Sequence, residues 1–367
     1  MKPYTPETLP VNSLDKAALF TLVGEANAAL ARYDGLLMGM VNPAVMLSPL
    51  TNQEAVLSSK IEGTQATVEE VLEHEAGQEY DEEKRRDIQE IINYRKALML
   101  AKEAITDRPI RLGLIREMHR VLMDSVRGQN KEPGQFRNDQ NWIGALGSSI
   151  EQATFVPPSP LQLMDHLQAW ECYLEQDDID PIVQTAMVHA QFELLHPFKD
   201  GNGRIGRLLI PLFLYSKGRL SSPMFYLSAY LENHREEYYA RLRAISEQGD
   251  WSGWCAFFLK AVVEQAQQNG RTLREILDLY EVTKQQLREI THSQYSLQLL
   301  DALFDRPTFT VADLAQRAEL PKPTAHKLVN SLLEEGLLDV VREASGRRAA
   351  ILTFAELFNT LERKYRI

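Results

Sequence analysis

The sequence predicts an all-α protein carrying two small β additions, and three observations lead there. Apolar residues recur at helical spacing through most of the 367 positions. Strand-type patterning is confined to two short stretches, around 153–156 and 337–353. The texture changes after about residue 290, where short helices and a hairpin signal replace long amphipathic helices.

Taken in order, residues 14–33 form an amphipathic helix, with Leu14, Ala17, Leu19, Leu22, Ala26 and Leu30 near one face. Residues 51–75 read as a second helical segment interrupted by Gly63, and 82–104 as a third that opens on a charged run. Residues 111–127 make a fourth helix. The stretch 128–160 holds Pro133-Gly134, Gly144, Gly147 and Pro157-Pro158, and reads as a loop with a short hairpin. Helices return at 161–175, 181–195, 203–217, 233–247 and 251–268, and 269–290 reads as a connecting helix. Beyond it, 294–305 is helical. Thr310 caps a short helix, with Asp313 as a capping-box-like acid, and Pro323–Glu335 is a helix ended by Gly336. Two apolar runs flanking Ser345-Gly346-Arg347-Arg348 then form a hairpin. That order is the order of a winged helix-turn-helix.

Composition narrows the function. A net charge of −11 argues against a general nucleic-acid or membrane-surface binder, since phosphate contacts need clustered Lys and Arg. The two cysteines, Cys172 and Cys255, sit in apolar helical contexts and suggest neither a disulfide framework nor zinc. No leader pattern and no span-length apolar run appears, so a cytoplasmic protein is expected, with no membrane partner.

The sharpest feature is His196-Pro197-Phe198-Lys199-Asp200-Gly201-Asn202-Gly203-Arg204-Ile205-Gly206-Arg207. A helix ends before His196, and Pro197 prevents its continuation. Phe198 is a candidate anchor. Gly201 and Gly203 permit positive φ and leave backbone amides uncovered. A new helix begins near Gly203, and its N-terminus is an anion site. Arg204 and Arg207, three apart, share the face beside it. Asp200 offers a hard oxygen of the kind that holds Mg²⁺ next to phosphate. His196 is a candidate general base. Base, metal ligand, amide cradle and arginine clamp are the parts of a phosphoryl-type transfer site.

This dodecapeptide resembles the signature of Fic-domain proteins, and every specified position matches. The resemblance implies a Fic-type helical core and transfer of AMP from ATP to a Ser, Thr or Tyr hydroxyl of a target protein, or of itself, releasing pyrophosphate. It implies His196 as base and Asp200 as ligand of Mg²⁺ bridging the α- and β-phosphates. Gly201, Asn202 and Gly203 would form the anion cradle. Arg204 and Arg207 would contact phosphates, Arg207 the terminal one. Phe155 and Val156 resemble the family's flap, which docks the target by strand addition; a plain surface hairpin is the competing reading. Asn233 and Tyr239 resemble its nucleotide-side helix, with an ordinary core ring as the alternative for Tyr239.

Ser58-Ser59-Lys60-Ile61-Glu62-Gly63 resembles the same family's inhibitory motif. Ser58, Glu62 and Gly63 would then form a brake. Glu62 would pair with Arg207 through two parallel hydrogen bonds, and ATP would bind unproductively. The expected layout is a helical region with the inhibitory helix over 1–105, a catalytic core over 106–268, the connecting helix over 269–290 and the winged helix over 291–367. In that last domain Lys322, His326, Lys327, Ser331, Arg347 and Arg348 would be the DNA-facing positions. It carries ten basic and ten acidic residues, so protein docking or homodimer assembly competes with DNA binding. The same loop would also serve removal of AMP or transfer of another phosphate-linked group. A nucleotide-sensing DNA-binding regulator is the alternative from outside enzymology.

Overall fold

The computed structural model describes residues 2–40, 42–124, 131–144, 147 and 149–362, with the side chains of 361 and 362 excepted. The helices, in chain order, are α1 (Lys16–Met38), α2 (Pro43–Ile61), α3 (Val68–Glu75), α4 (Glu82–Asp107), α5 (Leu112–Leu122), α6 (Pro160–Glu175), α7 (Pro181–Leu195), α8 (Asn202–Ser216), α9 (Ser228–Asn233), α10 (Arg235–Gln248), α11 (Trp251–Thr291), α12 (Ser296–Asp305), α13 (Val311–Arg317), α14 (Lys322–Glu334) and α15 (Ala355–Glu362). Three short strands, β1 (Thr308–Phe309), β2 (Asp339–Arg342) and β3 (Ile351–Thr353), complete the described residues. The fold is all-α with a small winged-helix sheet, as the periodicity predicts.

The chain divides into two compact units. The first comprises 1–38, 57–64 and 89–267; the second comprises 39–56, 65–88 and 268–367. In the first, α7 is the central element. Asp180 caps it by accepting from the amides of Ile182 and Val183, and Pro181 takes the first helical position, where no N–H is needed. Nearly every residue of α7 and of α8 is buried. A helix apolar on all sides belongs in the middle of a core. Trp170 and Trp254 close that core, each giving its indole N–H to an α7 carbonyl, of Val188 and Ala186 respectively.

In the second unit the sheet runs β1–β3–β2, all antiparallel. Phe309 and Val340 both register with Leu352, and the β2–β3 pairing slips between Val340 and Arg342. Thr310 caps α13 by accepting from the amide of Asp313. Only half of the expected capping box forms, because the Asp313 carboxylate reaches Arg317 and Arg306 instead.

Several boundaries differ from the periodicity. The expected helix 51–75 is two helices: α2 starts at Pro43, and the break falls at Gly63, whose φ is +100°. α5 stops at Leu122, and residues 125–127 of the expected helix lie outside the described residues. The expected helix 233–247 is α9 and α10, broken at His234. The segments 251–268 and 269–290 are one helix, α11. The hairpin expected within 128–160 reduces, among the described residues, to a single bridge between Ile143 and Phe155, plus a 3₁₀ turn at Ile150–Gln152. β1 and α15 carry too few residues to show a period and escape a sequence reading.

Candidate active site

The loop between α7 and α8 is fastened from every side. His196 is the C-cap of α7, with φ +46° and ψ +59°. Pro197 ends the helix as expected, and the residue before it turns left-handed. That conformation costs a non-glycine residue about 1 kcal/mol or more. Buried Arg137 holds it there. Its Nε donates to the carbonyl of His196 at 2.9 Å, and Nη2 donates to those of Pro158 at 2.6 Å and Leu195 at 3.4 Å. Burial pulls the Arg137 guanidinium down to about 10. Phe198 is fully buried, as an anchor should be, and its ring stacks on His119 at 3.7 Å between centroids. His119 receives the Gly134 amide on Nδ1 and so donates from Nε2 to the carbonyl of Asp200. It is a satisfied core histidine that shapes the loop.

Asn202 does something the motif alone did not reveal. Its side-chain oxygen accepts from the amide of Phe198, and its side-chain nitrogen donates to the Phe198 carbonyl, both at 2.8 Å. The side chain is buried and clamps the loop shut on itself, which leaves the backbone amide as the part expected at phosphate. Gly201, at φ +76°, uses the freedom expected of it, and is the N-cap of α8. Gly203 is helical; its lack of a side chain is needed for space. A Cβ there would lie 2.2 Å from Glu62 Oε1 and 2.9 Å from Arg207 Nη1. The amides of Asn202 and Gly203 stand in the first turn of α8, where no preceding carbonyl completes a helical bond.

Arg207 is almost fully buried. Its Nη2 donates to Glu62 Oε1 at 2.7 Å and to the Ser58 carbonyl at 2.8 Å, and its Nε donates to Ser58 Oγ at 2.9 Å. The expected pairing is present in a different form. Glu62 contributes one hydrogen bond, and Ser58 occupies the rest of that edge. Burial opposes the charge on Glu62, but Arg207 prevails and holds the carboxyl below its usual range. Gly63 lies directly beyond, in the turn after α2. Arg204, expected at phosphate, pairs with Glu90 at 3.0 Å, with Asp200 Oδ1 at 3.6 Å.

Asp200 Oδ1 accepts from the Gly201 amide at 2.6 Å, while the side chain stays 43% exposed. Among the described residues no cluster of three or more His, Cys, Asp or Glu is arranged for a metal. One exposed carboxylate beside a helix N-terminus is a donor set that fits Mg²⁺ only together with phosphate and water, from which that ion takes most of its ligands. Burial, and then Arg137, pulls His196 down to about 4, so its imidazole is neutral near pH 7. Its Nδ1 is buried without a hydrogen-bond partner.

Beside the loop lies a cavity of about 270 Å³, walled by Ile143 and Phe155 of the flap, Glu193 of α7, and Tyr239, Leu242 and Ser246 of α10. Tyr239, expected on the nucleotide side, lines this cavity. Asn233 is exposed at the end of α9 and is not part of this wall. Val156 is buried, and its carbonyl accepts from the amide of Tyr4, so that point of the flap edge is already paired. Sequence reasoning missed Glu90, Glu193, Leu242 and Ser246, and did not foresee the pinning role of Arg137. Glu90, Glu193, Leu242 and Ser246 stand in no motif, although Glu193 lies one turn before His196.

This geometry defines a class: a helical core whose glycine-rich corner opens onto a helix N-terminus, with an arginine there occupied by a glutamate of the same chain. Comparison with known proteins gives the family. Residues 20–103 match the Fic/DOC family N-terminal model, 109–214 the Fic/DOC family model and 290–349 the MarR family model. The chain therefore carries both Fic/DOC domains, followed by a MarR-family winged-helix region. It is 34% identical over 139 residues to protein adenylyltransferase fic-1 of Caenorhabditis elegans, covering 37% of this chain and 24% of that protein. It is 28% identical over 213 residues to a probable protein adenylyltransferase of Aquifex aeolicus (strain VF5), covering 55% and 57% respectively. The chain thus spans about a quarter of the length of the first relative and just over half of the second. The fold resembles the crystal structure of a Fic family protein from Desulfovibrio desulfuricans G20, with a TM-score of 0.56, 22% identity, and 96% and 98% of the two chains covered. No helix among the described residues is long and apolar enough to cross a membrane.

Proposed function

We propose that this protein transfers AMP from ATP to a hydroxyl group of a target protein or of itself, in the cytoplasm, and that Glu62 restrains the reaction. The observation that carries the reading is the corner where His196, the first-turn amides of α8 and Arg207 converge, with the relatives above named as adenylyltransferases. The amides and Arg207 take the phosphates, and the cavity beside Tyr239 takes the nucleoside. His196 is neutral near pH 7 and so is in the form that accepts a proton from the target hydroxyl. The hydroxyl oxygen bonds to the α-phosphorus as the bond to pyrophosphate breaks. Asp200 would hold Mg²⁺, which neutralises charge on the phosphates.

Arg207 cannot bind a terminal phosphate fully while Glu62 and Ser58 occupy its donors. Glu62 is partly exposed, and a carboxylate at that place also suits the reverse chemistry, in which it would orient water to remove AMP. The exposed Lys322, His326 and Lys327 of α14 keep DNA open as a second partner. A transfer assay with α-labelled ATP, Mg²⁺ and lysate tests the main reading. His196→Ala should lose transfer by at least about 100-fold, the scale of a general base, while ATP binding persists. Equal labelling by His196→Ala would remove His196 from the chemistry.

A further inference from the structure

Glu193 is a buried acid that the scheme above does not use. It stands on α7, one turn before His196, and lines the cavity that the flap and α10 enclose. Its Oε1 is sealed against the first turns of α8. A Cβ on Gly206 would lie 2.2 Å from it, and it has no hydrogen-bond partner. An unpaired buried oxygen is tolerated far better on a neutral carboxyl than on a carboxylate. In agreement, burial pushes the group up to about 8, against the pull of Arg207 and with Glu62 adding to the rise. The remaining oxygen is the one a cavity ligand can reach.

Position decides what that ligand group is. The phosphate site is the start of α8, at Asn202 and Gly203. Glu193 meets α8 one turn further on, at Gly206. Ile143, Phe155 and Leu242 give the cavity an apolar wall that suits a base, beside Tyr239, Arg243 and Ser246. A nucleotide with phosphates at the first place and base at the last has its sugar between them, beside Glu193.

We propose that Glu193 reads the sugar of the nucleotide, accepting a hydrogen bond from a ribose hydroxyl through its cavity-side oxygen. This rests on the nucleotide occupying the site as described under the proposed function. A carboxyl aimed at a ribose hydroxyl is a common way to recognise a ribonucleotide. A deoxy analogue would leave the cavity-side oxygen of Glu193 unpaired, so the site discriminates against it.

The test compares ATP, 2′-deoxy-ATP, 3′-deoxy-ATP and GTP in the full chain carrying Glu62→Gly, by direct titration and by transfer. The expected result is a preference for ATP over one deoxy analogue of about tenfold, the size of one hydrogen bond to a buried polar group. Glu193→Ala and Glu193→Leu should both bring that ratio near one. Leu keeps the volume and removes the orphaned oxygen, so it preserves the fold even if Ala does not. No preference in the parent, or an unchanged ratio in either variant with both affinities lowered together, overturns the proposal. So does a change confined to the ATP-to-GTP ratio, which would mean that Glu193 reads the base. A parent that discriminates in titration yet transfers nothing sinks the transfer reading and leaves this one standing.

Discussion

Two arginine–glutamate pairs in this molecule have almost the same length and opposite meanings. In the first unit Arg207 meets Glu62 at 2.7 Å, with side chains 1% and 34% exposed. In the second, Arg348 at the wing tip meets Glu79 at 2.6 Å, with side chains 62% and 74% exposed. Distance does not separate them; solvent does. Water and salt screen the wing pair, and its long side chains lose entropy when held together. Arg207 has been taken out of water and cannot lose its partners cheaply. The buried pair is the one able to hold a site in one state.

The comparison can be broken by removing the acids. Glu62→Ala should cost about 2 kcal/mol by denaturant unfolding, less than a fully buried pair because Glu62 is partly exposed and Ser58 remains. A cost near zero would mean that Arg207 is content with Ser58 alone. Acidity gives a second, smaller handle. Glu62 is held below 4.5, so its contribution is present above that value and fades as the pH falls through its folded pKa. His119, His189 and His196 are pulled from 6.5 to about 4, 3 and 4, so folding loses stability as they charge on acidification below 6.5. Glu193 runs the other way: raised to about 8, it stabilises below 4.5 and loses that contribution as the pH rises through 8. Three groups gain up to 6.5 and one keeps losing beyond it. Thermal unfolding of the first unit should therefore be most resistant near pH 6.5, and a plateau rising to pH 8 would contradict the burial of Glu193. The smallest effect belongs to the wing. Glu79→Ala should cost less than about 1 kcal/mol and vanish in high salt.

How much the sequence disclosed follows the same division between local and distant. The dodecapeptide from His196 to Arg207 was legible because base, glycines and arginines fall within one corner, and the long helices because each repeats its apolar face. Glu62 was legible through a motif, and it does reach Arg207 from 145 positions away. The roles inside the corner were less so. The backbone amides of Asn202 and Gly203 were expected at phosphate, but the side-chain roles went unread: one side chain ties the loop and the missing other makes room for the Glu62–Arg207 pair. Arg204 was expected at phosphate, and its pairing with Glu90 was not foreseen. Arg137, which pins the left-handed turn at His196, sits 59 positions before it in a glycine- and proline-rich stretch. Contacts of that kind leave no period in the sequence, because only folding brings the partners together.

The central claim is that Arg207, once freed of Glu62, completes a nucleotide-transfer site. Intact-mass measurement of the Glu62→Gly chain after incubation with ATP and Mg²⁺, beside the unsubstituted chain, tests it most directly. The account predicts a gain of one or more AMP units on the variant, at least about tenfold above the unsubstituted chain, the weight of one charged hydrogen-bonded pair. Two identical, unmodified masses, in a preparation shown to bind ATP, would contradict it.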